Sequence, residues 1–320
     1  LDRFLRSSPD SADPVAAMDV MIWLYVATFV FLALAVLWSA ARVAGPGVHP
    51  AAMLPVLAVV AAWVYVGEPV AIFLRGFPNE LVGLALAALL TAVVVRPLTS
   101  RTDQLVTVAL LVVGLSFSYH LFLPYAGVLV LGWAVQHRMW RHRAALVLAV
   151  PTLAAAAVTL FANLHAASTR QLTTAGTALA TDRPAVVVLV VLVAVGLVAR
   201  GGLRSPGRRT GGFALATAVA LLALLGLVQL VTVGHTVYYF GKLLHLTVVV
   251  GLVLLGALAR LVPIHGYAMR TATAATAVTA AATVAVVGAL VVAGGGGHRM
   301  VPSHGVRLAT GMEKGSPDGG

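Results

Sequence analysis

The sequence predicts an all-α fold, a polytopic transmembrane helix bundle. The first observation is compositional: 60% of the 320 residues are hydrophobic and only 10% are charged. Soluble domains have about 25% charged and about 45–50% apolar residues, so this chain lacks the polar side chains that a soluble surface of its size requires. The second observation is a series of long apolar stretches, since a helix needs roughly 20 apolar residues to cross about 30 Å of hydrocarbon.

These apolar stretches predict about ten membrane spans. In chain order they cover residues 18–41, 51–66, 81–95, 105–119, 121–135, 144–162, 185–199, 213–234, 243–261 and 271–293. The block 105–135 is too long for one untilted span and short for two. A tight reversal is expected inside it, because Ser118, Tyr119 and His120 are followed by Pro124.

The charged residues predict the orientation of the spans. Counted from the first span, the odd-numbered connections carry 12 basic residues and the even-numbered ones carry four. Cytoplasmic loops are enriched in Lys and Arg, so both termini are expected on the outer face. Only Asp103 of the ten acidic residues falls on the cytoplasmic side, so any acid–base chemistry is expected at the outer face. The predicted organisation is an outer-face segment 1–17, a transmembrane helical domain 18–293, and an outer-face Gly-rich tail 294–320 in which a soluble domain could begin.

Several chemistries are excluded by what the sequence lacks. It has no cysteine, which excludes disulfides, thiolate nucleophiles and Cys-ligated metal centres. No HExxH, GxSxG, Walker A or GxGxxG pattern occurs in a credible context. The formal net charge of +11 follows from the Arg-rich loops, so the expected partner is the lipid bilayer and not nucleic acid. The sequence requires no cofactor and indicates no metal site.

The first outer-face connection contains two carboxylates and a guanidinium, from Glu68, Glu80 and Arg75. The apolar residues 70–74 predict a short interfacial helix within it. Asn79 and Glu80 are suited to a helix start, because Asn caps helix N-termini and acidic side chains stabilise the first turn. Glu68 and Arg75 have no such explanation and are candidates for binding sugar hydroxyls or a phosphate.

Tyr119 and His120 form a second candidate group, at the predicted reversal. Tyr is common at membrane interfaces, which gives Tyr119 a structural alternative. His120 is a candidate acid–base group because imidazole titrates near neutral pH. A third group is less easily explained: Tyr238, Tyr239 and Lys242, where the only other lysine of the chain is at position 314. Lys242 either extends its side chain to the membrane surface or contacts a phosphate as a point charge.

The fourth candidate group lies in the long connection 165–184, which carries Arg170, Asp182 and Arg183. One interpretation is a solvated loop. The other is a segment that closes over an anionic lipid headgroup, with Arg170 as a substrate-binding residue.

Three of these segments together resemble a known class of enzyme. They are Phe77-Pro78-Asn79-Glu80 at the start of a span, the reversal Ser118-Tyr119-His120 with Pro124, and Tyr238-Tyr239-Phe240-Gly241-Lys242-Leu243. They resemble large actinobacterial membrane proteins of the GT-C glycosyltransferase type, such as the arabinofuranosyltransferases and mannosyltransferases of cell-envelope assembly. The resemblance implies a multi-pass protein of the bacterial plasma membrane. It also implies transfer of a sugar from a polyprenyl-phosphate donor to a cell-envelope glycan or lipid acceptor at the outer face.

The resemblance also implies roles for individual residues. Lys242 would contact the donor phosphate, Tyr238 and Tyr239 would line the donor site, and a divalent metal ion could bridge that phosphate to a carboxylate. The catalytic candidates are Glu68, Glu80 and His120, and the further substrate-binding candidates are Arg75, Tyr119 and Arg170. The principal catalytic acid of the family usually follows its first transmembrane helix. It is therefore expected upstream of Leu1, in a longer protein of which this chain is a fragment.

Two other functions remain open from the residues alone. A transporter or lipid flippase predicts polar side chains along span interiors, and Thr107, Thr159, Gln229 and Thr232 are the available examples. A non-catalytic membrane scaffold for envelope assembly predicts that no outer cavity converges on Glu68, Arg75 and Lys242.

Overall fold

The computed structural model describes residues 14–166, 183–199 and 204–261, and within these ranges every regular element is helical. The α-helices are α1 (Pro14–Ala44), α2 (Pro50–Val66), α3 (Glu68–Leu74), α4 (Pro78–Val95), α5 (Arg101–Ser118), α6 (Leu123–Gln136), α7 (Arg143–Ala166), α8 (Arg183–Val198), α9 (Pro206–Val233) and α10 (Tyr238–Leu255). Three 3-10 segments accompany them, namely His120–Phe122, Met139–Arg141 and Gly256–Leu261. The all-α prediction is confirmed for the described part of the chain.

Seven helical stretches in the described ranges are long and apolar enough to cross a membrane. They are Met21–Ala44, Pro50–Leu74, Pro78–Val95, Arg101–Ser118, Arg143–Ala162, Pro206–Val233 and Tyr238–Leu261. Two shorter apolar stretches, His120–Gln136 and Arg183–Val198, also fall where spans were predicted. The tenth predicted span, 271–293, the segment 1–13 and the tail 294–320 lie outside the described residues. The total of about ten spans and the outer-face termini therefore stay predictions.

Local sequence signals explain several helix boundaries. Ser100 caps α5, since its side-chain oxygen accepts a hydrogen bond from the Asp103 backbone N–H at 3.3 Å. Ser205 caps α9 in the same way, the arrangement by which Ser satisfies an unpaired amide of a first helical turn. The predicted break inside 105–135 is also confirmed, because α5 ends at Ser118 and the chain passes through His120–Phe122 into α6.

Helices α4 and α10 form the centre of the bundle. In the most apolar 18-residue stretch of each candidate span, 72% of the residues are buried for α4 and 94% for the span that contains α10, against 6% for α7. Helix α10 packs against α1, α4, α8 and α9, and α4 also packs against α1 and α5. The largely exposed α7 is the surface that lipid would cover.

Long-range contacts define two ends of the bundle. At the first, which we call the Glu80 end, Glu80 near the start of α4 contacts Lys242 near the start of α10. At the second, which we call the Arg96 end, Arg96 follows α4 and contacts the last turn of α1 through Arg42. Helices α1, α4 and α10 therefore run in the same direction, as alternating membrane crossings require of the first, third and ninth predicted spans.

Candidate functional site

Three ionisable side chains meet inside the Glu80 end. Glu80 lies in the first turn of α4, and Lys242 and His245 lie three residues apart on α10. Residues at this spacing share a helix face, so both side chains reach the same carboxylate. The Lys242 ammonium donates to Oε2 of Glu80, and Nδ1 of His245 is 2.7 Å from Oε1. All three residues are at most 2% exposed.

The hydrogen-bond pattern defines the chemistry of this buried group, which we call the Glu80 triad. An ionised carboxylate only accepts hydrogen bonds, so Nδ1 of His245 carries the proton shared with Glu80. The buried Nε2 of His245 then has no hydrogen-bond partner among the described residues. Glu80 and Lys242 neutralise each other, which matters because a buried unpaired charge carries a large desolvation penalty.

Aromatic rings enclose the Lys242 ammonium. Its Nζ atom is 3.5 Å from the ring centroid of Phe77 and 4.6 Å from that of Tyr238. Both rings are close enough for cation–π attraction. The alternative in which Lys242 extends to the membrane surface is not what the structure shows, because its charge is held inside the bundle by Glu80 and two rings. The phosphate contact stays a prediction for this residue.

Tyr119 lies beside the Glu80 triad. It approaches α4 at Gly83, where an added Cβ atom would be only 2.6 Å from the Tyr119 Cβ atom. Burial raises the pKa of Tyr119 above its ordinary value, and the negative charge of Glu80 raises it further. Tyr119 also packs against Phe122, with ring centroids 4.7 Å apart, and its ring is stacked on His120 at 6.4 Å. The reversal between α5 and α6 therefore belongs to the same end of the bundle.

Glu68 and Arg75 are engaged differently from Glu80. The Trp63 indole N–H donates to Oε2 of Glu68 at 2.8 Å, which ties the end of α2 to the start of α3. Arg75 is exposed at the end of α3. The predicted short helix is present as α3, but the expected capping by Asn79 is wrong. Helix α4 has Phe77 at its N-cap position with no side-chain cap, and Asn79 is exposed.

The backbone between α3 and α4 is held by Tyr25 of α1. Its hydroxyl accepts from the Gly76 backbone N–H at 2.9 Å and donates to the Phe73 carbonyl. The rings of Tyr25 and Phe73 stack with centroids 4.7 Å apart. Gly76 has a φ of +81°, a left-handed conformation that favours glycine. Tyr25 thus fixes the turn that leads to Phe77 and Glu80.

The start of α10 is fixed by α8 and α9. Oε1 of Gln229 on α9 accepts from the Val237 backbone N–H at 2.8 Å. Arg183 at the start of α8 donates to the Thr236 hydroxyl at 2.9 Å and lies 5.6 Å from the Phe240 ring centroid. Arg170 and Asp182 lie outside the described residues. The bond from Val237 to Gln229 holds the turn between α9 and α10 in place, and this explains why a polar side chain is present inside the α9 span.

The sequence-based candidates are only partly brought together. Glu80, Tyr119, Tyr238 and Lys242 share one site, and Tyr239 packs edge-on against Tyr238 with ring centroids 5.2 Å apart. His245 was not among the candidates, although its spacing of three residues from Lys242 was the available signal. Tyr25 carried no signal, because a tyrosine in an apolar span resembles any interfacial aromatic residue.

Within the described residues, no group of three or more His, Cys, Asp or Glu side chains is arranged to hold a metal ion. The metal bridge that the resemblance allows therefore has no located site. No family model, curated protein or solved structure matches this chain.

Proposed function

We propose that this chain is the membrane part of a glycosyltransferase of the bacterial plasma membrane. It takes a sugar from a polyprenyl-phosphate donor and transfers it to a cell-envelope glycan or lipid acceptor at the outer face. The donor and acceptor meet at the Glu80 end of the bundle, which the distribution of basic residues assigns to the outer face.

One observation carries this proposal: two of the three segments that resemble the GT-C glycosyltransferases contact each other, and the third packs beside them on α4. Phe77 and Glu80 come from the first segment, and Lys242 of the third segment contacts both of them. Tyr119 of the second segment packs on α4 one turn beyond Glu80. An ion pair that only joins α4 to α10 would need Glu80 and Lys242 alone. The reversal at Tyr119 is also brought to this end of the bundle, and a reaction centre requires such a convergence of segments that are far apart in the chain.

The Glu80 triad can supply the groups that glycosyl transfer needs. The reaction forms a bond between the acceptor oxygen and the anomeric carbon, breaks the bond between that carbon and the donor phosphate oxygen, and releases the acceptor proton. A donor phosphate that takes the Lys242 ammonium from Glu80 frees the carboxylate to accept that proton. Lys242 then neutralises the charge of the leaving phosphate, and His245 keeps the carboxylate oriented.

The proposal is tested by sugar transfer in membranes that contain the full-length protein, supplied with radiolabelled polyprenyl-phosphate sugars. Labelled glycan or lipid product is expected with the wild type. Lys242→Met is expected to reduce product formation by at least 100-fold, whereas Arg141→Gln, at an exposed site outside the Glu80 end, is expected to leave it unchanged.

Loss of activity in Lys242→Met could also come from misfolding, because that variant leaves Glu80 buried without its counter-ion. The double variant Glu80→Leu/Lys242→Leu removes both charges together and is expected to fold without transferring sugar. Normal transfer by the folded double variant, or no transfer by folded wild-type protein with any donor, would overturn the proposal.

A transporter or lipid flippase is the second candidate, and the Glu80 triad itself favours it. Ionisable residues inside membrane segments are expensive and often line substrate or proton paths. A transporter would move labelled polyprenyl-phosphate sugar across proteoliposomes without consuming it. Translocation of intact donor with no glycan product would select this function over the first.

A further inference from the structure

Three arginines meet at the Arg96 end of the bundle, far along α4 and α10 from the Glu80 triad. Arg42 lies in the last turn of α1, Arg96 follows α4, and Arg260 lies in the 3-10 segment after α10. We call these three residues the arginine cluster. They come from three separate elements, so the tertiary fold and not local sequence brings their charges together.

Hydrogen bonds to backbone carbonyls hold the arginine cluster in place. Nη2 of Arg42 donates to the Arg96 carbonyl at 2.9 Å, and Nη1 of Arg96 donates back to the Arg42 carbonyl at 3.3 Å. Nε of Arg260 donates to the Ala44 carbonyl. Gly45 has a φ of +86°, and an added Cβ atom there would clash with the guanidinium groups of both Arg96 and Arg260. These two groups are therefore packed side by side over Gly45.

The positive charge of the cluster has no carboxylate partner in the described ranges. The ion pairs found among the described residues join Glu80 to Lys242 and His245. None of them includes an arginine of the cluster. The pKa of Arg96 is lowered, first by burial and then by the charges of Arg260 and Arg42. Guanidinium groups nevertheless stay protonated at neutral pH, so the cluster concentrates three positive charges.

Helix capping explains only part of this arrangement. Arginine side chains commonly bond the last carbonyls of a helix, and the three bonds above have this form. Each guanidinium has five N–H donors, however, and each of these arginines uses one of them in a bond to a helix carbonyl. Capping therefore accounts for only one of the five donors of each side chain. Nε of Arg42 is buried and has no hydrogen-bond partner among the described residues. Capping alone would also not require three like charges at one place, since like charges repel.

An apolar stripe on α1 leads directly to the cluster. Leu34, Trp38 and Arg42 are spaced four residues apart and so lie along one helix face. Leu34 is 62% exposed and Trp38 is 47% exposed. The Arg42 guanidinium lies 5.3 Å from the Trp38 ring centroid. The surface is apolar along the span and carries cationic hydrogen-bond donors at its end. A phospholipid has the matching arrangement, since its acyl chain is apolar and its anionic headgroup lies at the end of that chain.

We propose that the arginine cluster is a binding site for the phosphate of an anionic phospholipid, whose acyl chain lies along Leu34 and Trp38. The planar donors of arginine match phosphate oxygens, and the apolar stripe selects a lipid over free phosphate. The site is separate from the Glu80 triad, and its occupation does not depend on the proposed sugar transfer.

Native mass spectrometry of the full chain, purified in neutral detergent, tests this site. The probes are phosphatidylglycerol, phosphatidylcholine and inorganic phosphate. Phosphatidylglycerol is expected to bind with clear preference. The Arg42→Gln and Arg260→Gln variants are each expected to lose about fivefold in affinity, the magnitude typical of one basic side chain at an anionic surface. Trp38→Ala is expected to weaken lipid binding, and Arg141→Gln serves as the control.

Each alternative outcome overturns a stated part of the proposal. Equal binding of phosphatidylcholine would exclude recognition of the anionic headgroup. Phosphate that competes fully with the lipid, together with an unaffected Trp38→Ala variant, would show a free-anion site. Unchanged affinity in both arginine variants, or an equal loss in Arg141→Gln, would show that the cluster is not the binding site. Only folded protein ions are counted. If Arg42→Gln does not fold, the affinity of Arg260→Gln decides the test, because Arg260 is exposed.

Discussion

The ammonium group of Lys242 on α10 donates a hydrogen bond to the carboxylate of Glu80 on α4, and the two residues are 162 positions apart in the sequence. The contact joins the starts of α4 and α10, which are the most buried of the candidate spans in the described part of the chain. It fixes their relative height, since a shift of one helix by a single turn of about 5.4 Å would separate the charges. Both charges are buried, so the charge of each residue is neutralised only by the other.

The first prediction concerns the removal of one charge from this pair. Glu80→Gln leaves the Lys242 ammonium buried without a counter-ion, and breaking a buried pair in this way typically costs about 3–5 kcal/mol. We expect a loss of this size in the free energy of unfolding, measured by SDS titration in mixed micelles. Glu68→Gln is the matched control, because its amide oxygen can still accept from the Trp63 indole and Glu68 is only half-buried.

The double variant Glu80→Leu/Lys242→Leu separates charge from packing. Replacing a buried ion pair by apolar residues is often neutral or stabilising, so the double variant is expected to be more stable than Glu80→Gln. The single variants Glu80→Leu and Lys242→Leu complete the cycle. A loss in the double variant equal to the sum of their two losses would contradict the view that the pair acts as one unit.

The second prediction concerns the turn before α4. Tyr25→Phe keeps the ring stacked on Phe73 but removes the hydroxyl that joins the Gly76 N–H and the Phe73 carbonyl. A net loss of about 1–2 kcal/mol is expected, with faster amide hydrogen exchange at Gly76. Tyr65→Phe is the control, since Tyr65 is exposed and contacts Phe29 through its ring. Equal exchange at Gly76 in both variants would show that the hydroxyl does not hold the turn.

The fold class and most spans could be predicted because they depend on composition and segment length. The break near Tyr119 was also predictable, since Pro124 and a polar triplet interrupt the apolar block. These features are local, and each can be recognised from residues within one or two helical turns of one another.

The partners of the polar residues could not be predicted for a physical reason. The apolar stretches are almost uniform runs of Ala, Val and Leu, so no periodic pattern shows which helix faces which. Lys242 was recognised as unusual, but nothing near it in sequence indicates Glu80. The spacing of three residues from Lys242 indicates that His245 shares its helix face, but it does not indicate that both side chains meet a carboxylate from another helix. Asn79 was assigned a cap by residue type alone, whereas the helix begins at Pro78 and its N-cap position falls on Phe77, two residues before Asn79.

The third prediction concerns Gln229, whose side chain holds the start of α10. Gln229→Leu leaves the buried Val237 N–H without its acceptor, and an unsatisfied buried donor costs about 1–3 kcal/mol. We expect that loss in the SDS titration. Thr232→Val, one turn away on the same helix, is the control, because its hydroxyl is exposed and bonds to the Val228 carbonyl of its own helix. Equal effects of the two changes would contradict a specific role for Gln229.

The fourth prediction uses two glycines in neighbouring helices. An added methyl group at Gly83 would lie 2.6 Å from the Tyr119 Cβ atom, whereas at Gly127 on α6 it would meet nothing within 4 Å. Because a Cβ atom moves only with its backbone, Gly83→Ala must push Tyr119 away from α4, at a cost of about 1–3 kcal/mol. Gly127→Ala should instead stabilise the protein by up to about 1 kcal/mol, since alanine favours the helical backbone. Opposite signs in the SDS titration would confirm that α4 and Tyr119 are in contact. A stabilised Gly83→Ala variant would mean that the reversal lies farther from α4 and that Tyr119 is not part of the site.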